Sequence, residues 1–130
     1  ELASSWLVLG ARVVDRFGDN GLVGALAIER DAAGGWSIEN FVLSCRVFSR
    51  NVEDAILGLV LQAARERGAR SVRGRFVETS KNKKFARFYE QQGFGPSADE
   101  SAPFEHDLLS VRALPAWVHV SRGLEAFHAF

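Results

Sequence analysis

The chain has 130 residues, 47% of them hydrophobic and 25% charged, which are the proportions of one globular domain able to bury a core. Sixteen basic and sixteen acidic side chains cancel, so no global field draws the chain to nucleic acid or to an anionic membrane. The single cysteine, Cys45, excludes an internal disulfide framework, and no apolar run is long enough to cross a bilayer, so a cytoplasmic location is expected. With no methionine and no signal-peptide shape at its start, the chain is expected to be part of a longer protein.

Trp6 to Val14 is rich in β-branched and large apolar residues and predicts a first strand. Phe17-Gly18-Asp19-Asn20-Gly21 follows, and its Asn-Gly pair predicts the hairpin turn into a second strand from Leu22 to Glu29. After a turn at Asp31 to Gly35, Trp36 to Leu43 completes an antiparallel meander. The period then changes. Val52, Ile56, Val60 and Ala64, with Leu57 and Leu61 beside them, form the stripe of a half-buried helix capped by Asn51 and stopped by Gly68.

Ser71 to Val77 returns to strand propensity, and Lys81 to Gln92 predicts a second helix with Phe85, Phe88 and Tyr89 on one side and Gly93 at its end. Phe104 to Val111 predicts a last strand. These elements make an α+β domain over residues 1–113. Residues 114–130, which carry Trp117, Val118, Val120, Leu124, Phe127 and Phe130, form an apolar extension expected to pack on the domain or on a neighbour.

This order of elements resembles the GNAT (acyl-CoA N-acyltransferase) fold from its second strand onward, a central mostly antiparallel sheet flanked by helices, with the N-terminal elements missing. Two segments carry the likeness. Arg46-Val47-Phe48-Ser49-Arg50-Asn51 stands where GNAT proteins have Q/R-x-x-G-x-G/A, whose backbone N–H groups hold the coenzyme A pyrophosphate at a helix N-terminus; Arg46 matches, while Ser49 and Asn51 replace the glycines. Asn82 to Phe94 is similar to the signature N-x-x-A-x-x-x-Y-x-x-x-G-F, with Phe85 in the alanine place. Asp15 to Gly21 and Leu43 to Val47 resemble segments of the C-terminal, GNAT-like part of FkbH-type proteins.

The FkbH resemblance implies a role in acyl or glyceryl transfer to an acyl carrier protein, as in polyketide extender-unit supply, alongside an N-terminal HAD-like phosphatase domain. The nucleophile motif of that domain, D-x-D-x-T/V, does not occur in this chain. The resemblance implies a cofactor-binding set of Arg46, Val47, Ser49, Arg50, Asn51 and Asn82, facing coenzyme A or carrier-protein phosphopantetheine, and no metal. Two other readings stand beside it: a degenerate GNAT domain that docks a carrier protein without catalysis, and an acetyl-CoA-dependent N-acetyltransferase.

Cys45 and Tyr89 are the candidate catalytic residues. The Cys45 thiolate, activated by Arg46, Arg50 and the helix N-terminus, could accept an acyl group as a thioester; the alternative is a buried structural cysteine. Tyr89 matches the GNAT tyrosine that protonates a departing thiolate; the alternative is a core aromatic beside Phe85 and Phe88. Glu39 stands where some GNAT enzymes hold a base, against the commoner reading of a solvated strand carboxylate. Lys81, Lys83, Lys84 and Arg87, with Arg46 and Arg50, form a basic group suited to an acidic carrier protein, to phosphate, or to solvent. His106, His119 and His128 match no metal spacing and receive no role.

Overall fold

A computed structural model describes residues 5–15, 18–31, 33–43, 52–75, 88–97, 104–109 and 111. Six strands and a long helix occupy them: β1 (Ser5–Asp15), β2 (Gly18–Arg30), β3 (Trp36–Leu43), α1 (Val52–Glu66), β4 (Val72–Gly74), β5 (Gly95–Pro96) and β6 (Phe104–His106). The last turn of a further helix lies at residues 88–91. The strands form one sheet in the order β1-β2-β3-β4-β6-β5. Every pairing among the described strands is antiparallel except β3 with β4, which run parallel and have α1 between them in sequence, the crossover that a parallel pair needs.

Alternation along the strands assigns the faces. Leu26 and Ile28 of β2, Trp36 and Ile38 of β3, and Val72 of β4 are buried and share one core with Leu57, Val60, Leu61 and Ala64 of α1. The helix stripe therefore faces the sheet, as its spacing predicts. Phe88, Tyr89 and Phe94 extend the same core toward β6. The meander's other face carries Trp6, Val8 and Val42, all more than half exposed.

Both helices end by the same device. Gly68, at φ 75°, donates its N–H to the Arg65 carbonyl while Ala69 donates to Ala64; Gly93, at φ 92°, donates to Glu90 while Phe94 donates to Tyr89. A left-handed glycine followed by a residue that bonds back five positions satisfies the last carbonyls of each helix.

Three expectations need correction. Asn20-Gly21 is not the hairpin turn: β2 already begins at Gly18, with Asp15 paired to Gly18 and Val14 to Asp19, so Asn20 and Gly21 lie within the strand. The register against β1 shifts twice between Ala11 and Val14, and Gly21 at φ 70° lies in this irregular stretch. The glycine serves a bulge within a long strand rather than a turn. Of the strand expected over Ser71 to Val77, the described residues form a ladder from Val72 to Gly74, with Arg75 adding a bond to the Ile38 carbonyl; Phe76 and Val77 lie outside the described residues. The last strand stops at His106 because Leu108 takes a left-handed conformation, φ 64°, that breaks an extended run. Most of the predicted second helix, and residues 112–130 with the apolar extension, lie outside the described residues.

Candidate functional site at the carboxyl ends of the parallel strands

The one parallel pair among the described strands, β3 with β4, decides where chemistry can gather. Trp36, Ser37 and Ile38 of β3 lie beside Val72, Arg73 and Gly74 of β4, so the two strands leave the sheet at the same edge. From the end of β3 the chain continues into the segment of Cys45 to Asn51, and from β4 it continues toward Asn82 and Tyr89. Open sheets bind ligands outside the carboxyl ends of parallel strands, where neighbouring connections diverge.

Tyr89 is seated at this edge. Its ring lies over Gly74, the last residue of β4, so closely that a Cβ there would stand 2.6 Å from Cε1. It stacks on Phe104 with centroids 5.1 Å apart and an interplanar angle of 19°, and meets Phe94 edge-on at 5.1 Å. Only 2% of the residue is exposed, and burial pushes the phenol well above its ordinary pKa of 10.0. Tyr89 is therefore a neutral hydroxyl at any physiological pH, a hydrogen-bond donor of reduced acidity.

Glu39 occupies a bulge. Ala27 pairs with Asn40 and Ile28 with Ile38, leaving Glu39 as the extra residue of β3. Ser37 Oγ donates to its Oε2 at 2.6 Å, and Arg75 Nε lies 3.2 Å from Oε1. The carboxylate thus ties β3 to the residue that follows β4. Each oxygen keeps a further lone pair, so these two partners orient the carboxylate without by themselves excluding it as a base.

The first turn of α1 carries Glu53 and Asp54, the former 6% exposed. Gln92, buried after the 88–91 turn, donates from Nε2 to Asp54 Oδ1 at 2.5 Å, fastening the start of α1 to the end of the Tyr89 helix. Acidic side chains offset the positive end of the helix dipole, the feature an incoming pyrophosphate would exploit.

Cys45, Arg46, Val47, Ser49, Arg50, Asn51 and Asn82 lie outside the described residues, as do Lys81, Lys83, Lys84 and Arg87. Among the described residues no group of three or more His, Cys, Asp or Glu could hold a metal ion, and no helix is long and apolar enough to cross a membrane. Sequence reasoning missed Gly74, although a glycine inside a strand pattern signals a close approach. It also missed the position of Glu39 in a bulge, which leaves no mark in local composition.

No protein-family model matches the chain, and no curated protein matches it. Solved structures do. The PaiA N-acetyltransferase of Thermoplasma acidophilum in complex with coenzyme A superposes with a TM-score of 0.61 at 18% identity, over 78% of this chain and 60% of that one. A GNAT-family acetyltransferase of Staphylococcus aureus gives 0.59 at 13% identity, over 73% and 64%. The ribosomal-protein-S18-alanine N-acetyltransferase of Escherichia coli gives 0.54 at 10% identity, over 75% and 64%. This chain thus spans less than two thirds of the length of each. What it shares with them is the GNAT fold, which in the described residues of this chain is a mostly antiparallel sheet of six strands with helices.

Proposed function

We propose that this domain handles a pantetheine thioester, as the GNAT-like part of an FkbH-type protein acting in acyl or glyceryl transfer to an acyl carrier protein in secondary-metabolite biosynthesis. The observation that carries the reading is the adjacency of β3 and β4. Their parallel ends feed the two segments whose sequences resemble GNAT motifs, and Tyr89 lies against the end of β4. Arg46, Val47, Ser49, Arg50, Asn51 and Asn82 would line the pantetheine or coenzyme A arm, with Cys45 as the acceptor thiol and Tyr89 donating a hydrogen bond toward the thioester sulfur. An HAD-like domain would supply the phosphatase chemistry.

A second reading, a GNAT domain that docks the carrier protein and catalyses nothing, gains from two observations. Glu53 and Asp54 already offset the helix end that a coenzyme A pyrophosphate would need, and burial weakens Tyr89 as an acid. An acetyl-CoA-dependent N-acetyltransferase needs that pyrophosphate site most and is the reading these observations favour least.

Titration by calorimetry or NMR with coenzyme A and, separately, with a holo acyl carrier protein tests the proposal. Binding of the carrier protein alone supports the loading role, tight binding of coenzyme A transfers the lead to acyl-CoA chemistry, and binding of neither removes both. Mass spectrometry after incubation with the glyceryl donor in the full-length protein then separates catalysis from docking: transfer that survives Cys45→Ala excludes the thiol. Tyr89→Phe should retain the fold and slow transfer by roughly 10²-fold or more if the hydroxyl takes part in the reaction.

A further inference from the structure

The turn that ends β6 contains an unusual set of dependencies. Leu108 adopts φ 64°, a region that an L residue with a Cβ seldom enters, and yet its side chain is buried in the core at 7% exposure. Two side chains hold the backbone there: the Leu108 N–H donates to His106 Nδ1 at 2.9 Å, and the Leu109 N–H donates to Asp107 Oδ1 at 3.0 Å. His106 is itself 4% exposed. Its Nδ1 must carry a lone pair to accept this bond, so the proton of the neutral ring sits on Nε2.

Among the described residues little stands near His106 to stabilise a charged ring. From its own turn, His106 has Asp107 beside it, whose charge favours the imidazolium but does not outweigh burial, which lowers the ring's affinity for a proton. From the turn after the Tyr89 helix come Gly93, whose position faces Nε2, and Phe94, edge-on at 5.3 Å. Across the ladder stands Val72 of β4. Neither Gly93, Phe94 nor Val72 titrates. Glu105 and Arg73, one residue along their strands, lie on the opposite face by alternation.

We propose that His106 and Leu108 form an acid-released clasp: a solvent proton taken up at Nδ1 occupies the lone pair that holds the Leu108 N–H, and Leu108 leaves its left-handed conformation and the core. The consequence reaches the candidate site by contact. His106 packs on Phe94, Phe94 packs on Tyr89, and Tyr89 stacks on Phe104 of the same strand β6, so release of the clasp loosens the wall behind Tyr89. The device does not depend on what the site binds, and it rests on described residues alone.

Amide hydrogen exchange by NMR, expressed as protection relative to each amide's intrinsic rate, tests it in the wild-type chain. Between pH 7.5 and 5.0 the Leu108 amide should lose about tenfold or more of its protection while Val60 in α1 retains its own. The loss should share its midpoint with the His106 ring resonances. His106→Asn puts an oxygen near the Nδ1 position and cannot be protonated there, so its Leu108 amide should stay equally protected at both pH values. Protection of Leu108 that is unchanged to pH 5.0 while the ring titrates would overturn the clasp. So would an equal loss in His106→Asn. If that variant does not fold, the paired midpoints in the wild type decide alone.

Discussion

Gly74 shows how much one missing methyl can decide. A side chain there would collide with the Tyr89 ring, not with the end of a flexible chain, so Gly74→Ala must displace a ring held between Phe94 and Phe104. We expect it to lower stability by about 1–3 kcal/mol in urea denaturation. Gly95→Ala, with nothing within 4 Å of the added atom, should stay within about 0.5 kcal/mol of the wild type. Similar losses for the two would mean that the close approach at Gly74 is not tight in solution. His106 adds a pH dependence of defined sign. Its folded-state pKa lies below the ordinary 6.5, so the unfolded chain takes up the proton first. The stabilisation from the neutral ring is complete above 6.5 and falls as pH drops from there through the folded-state value. Thermal midpoints should therefore decline on acidification below 6.5, and the decline should be shallower in His106→Asn.

The elements owe their ends to glycines and their register to bulges. Gly68 and Gly93 both occupy left-handed C-cap positions, and alanine at either should cost about 1 kcal/mol from backbone strain. Gly93 carries an extra demand, because an added Cβ would stand 3.3 Å from His106 Nε2, whereas Gly68 faces open space. Gly93→Ala should therefore destabilise more than Gly68→Ala in the same denaturation experiment, and the reverse order would contradict the packing described around His106. In β3 the bulge at Glu39 lets Ile38 and Phe41 both face the core although they are three residues apart, which simple alternation forbids.

Across the whole molecule, the sheet is loaded asymmetrically. Ile28 and Leu61 have 0% and 2% exposure, and truncation of either to alanine should cost about 2–5 kcal/mol. Trp6 and Val8, on the meander's other face, are 55% and 73% exposed, and Trp6→Gln or Val8→Thr should change stability by no more than about 0.5 kcal/mol in the isolated chain. Large losses from both surface variants would mean that this face is covered in solution.

Much of this fold was legible in the residues. The runs of β-branched and large apolar residues in the meander, the period near 3.6 from Val52 onward and the glycines at 68 and 93 point to strands, helix and helix ends through local geometry, and the structure has them. Of the helix read over Lys81 to Gln92, the described residues 88–91 are helical and end at Gly93 as expected, with Phe88 and Tyr89 in the core. What local patterns could not carry were the events that need two distant segments. Asn20-Gly21 reads as a turn until β1 is long enough to pair beyond it, and Glu39 reads as a solvated carboxylate until Arg75 arrives from β4. His106 reads as a histidine without a role until the Leu108 N–H and Phe94 close around it. Propensity and periodicity are properties of neighbours in sequence, whereas register, burial and shifted pKa values arise only when the sheet brings residues tens of positions apart into contact.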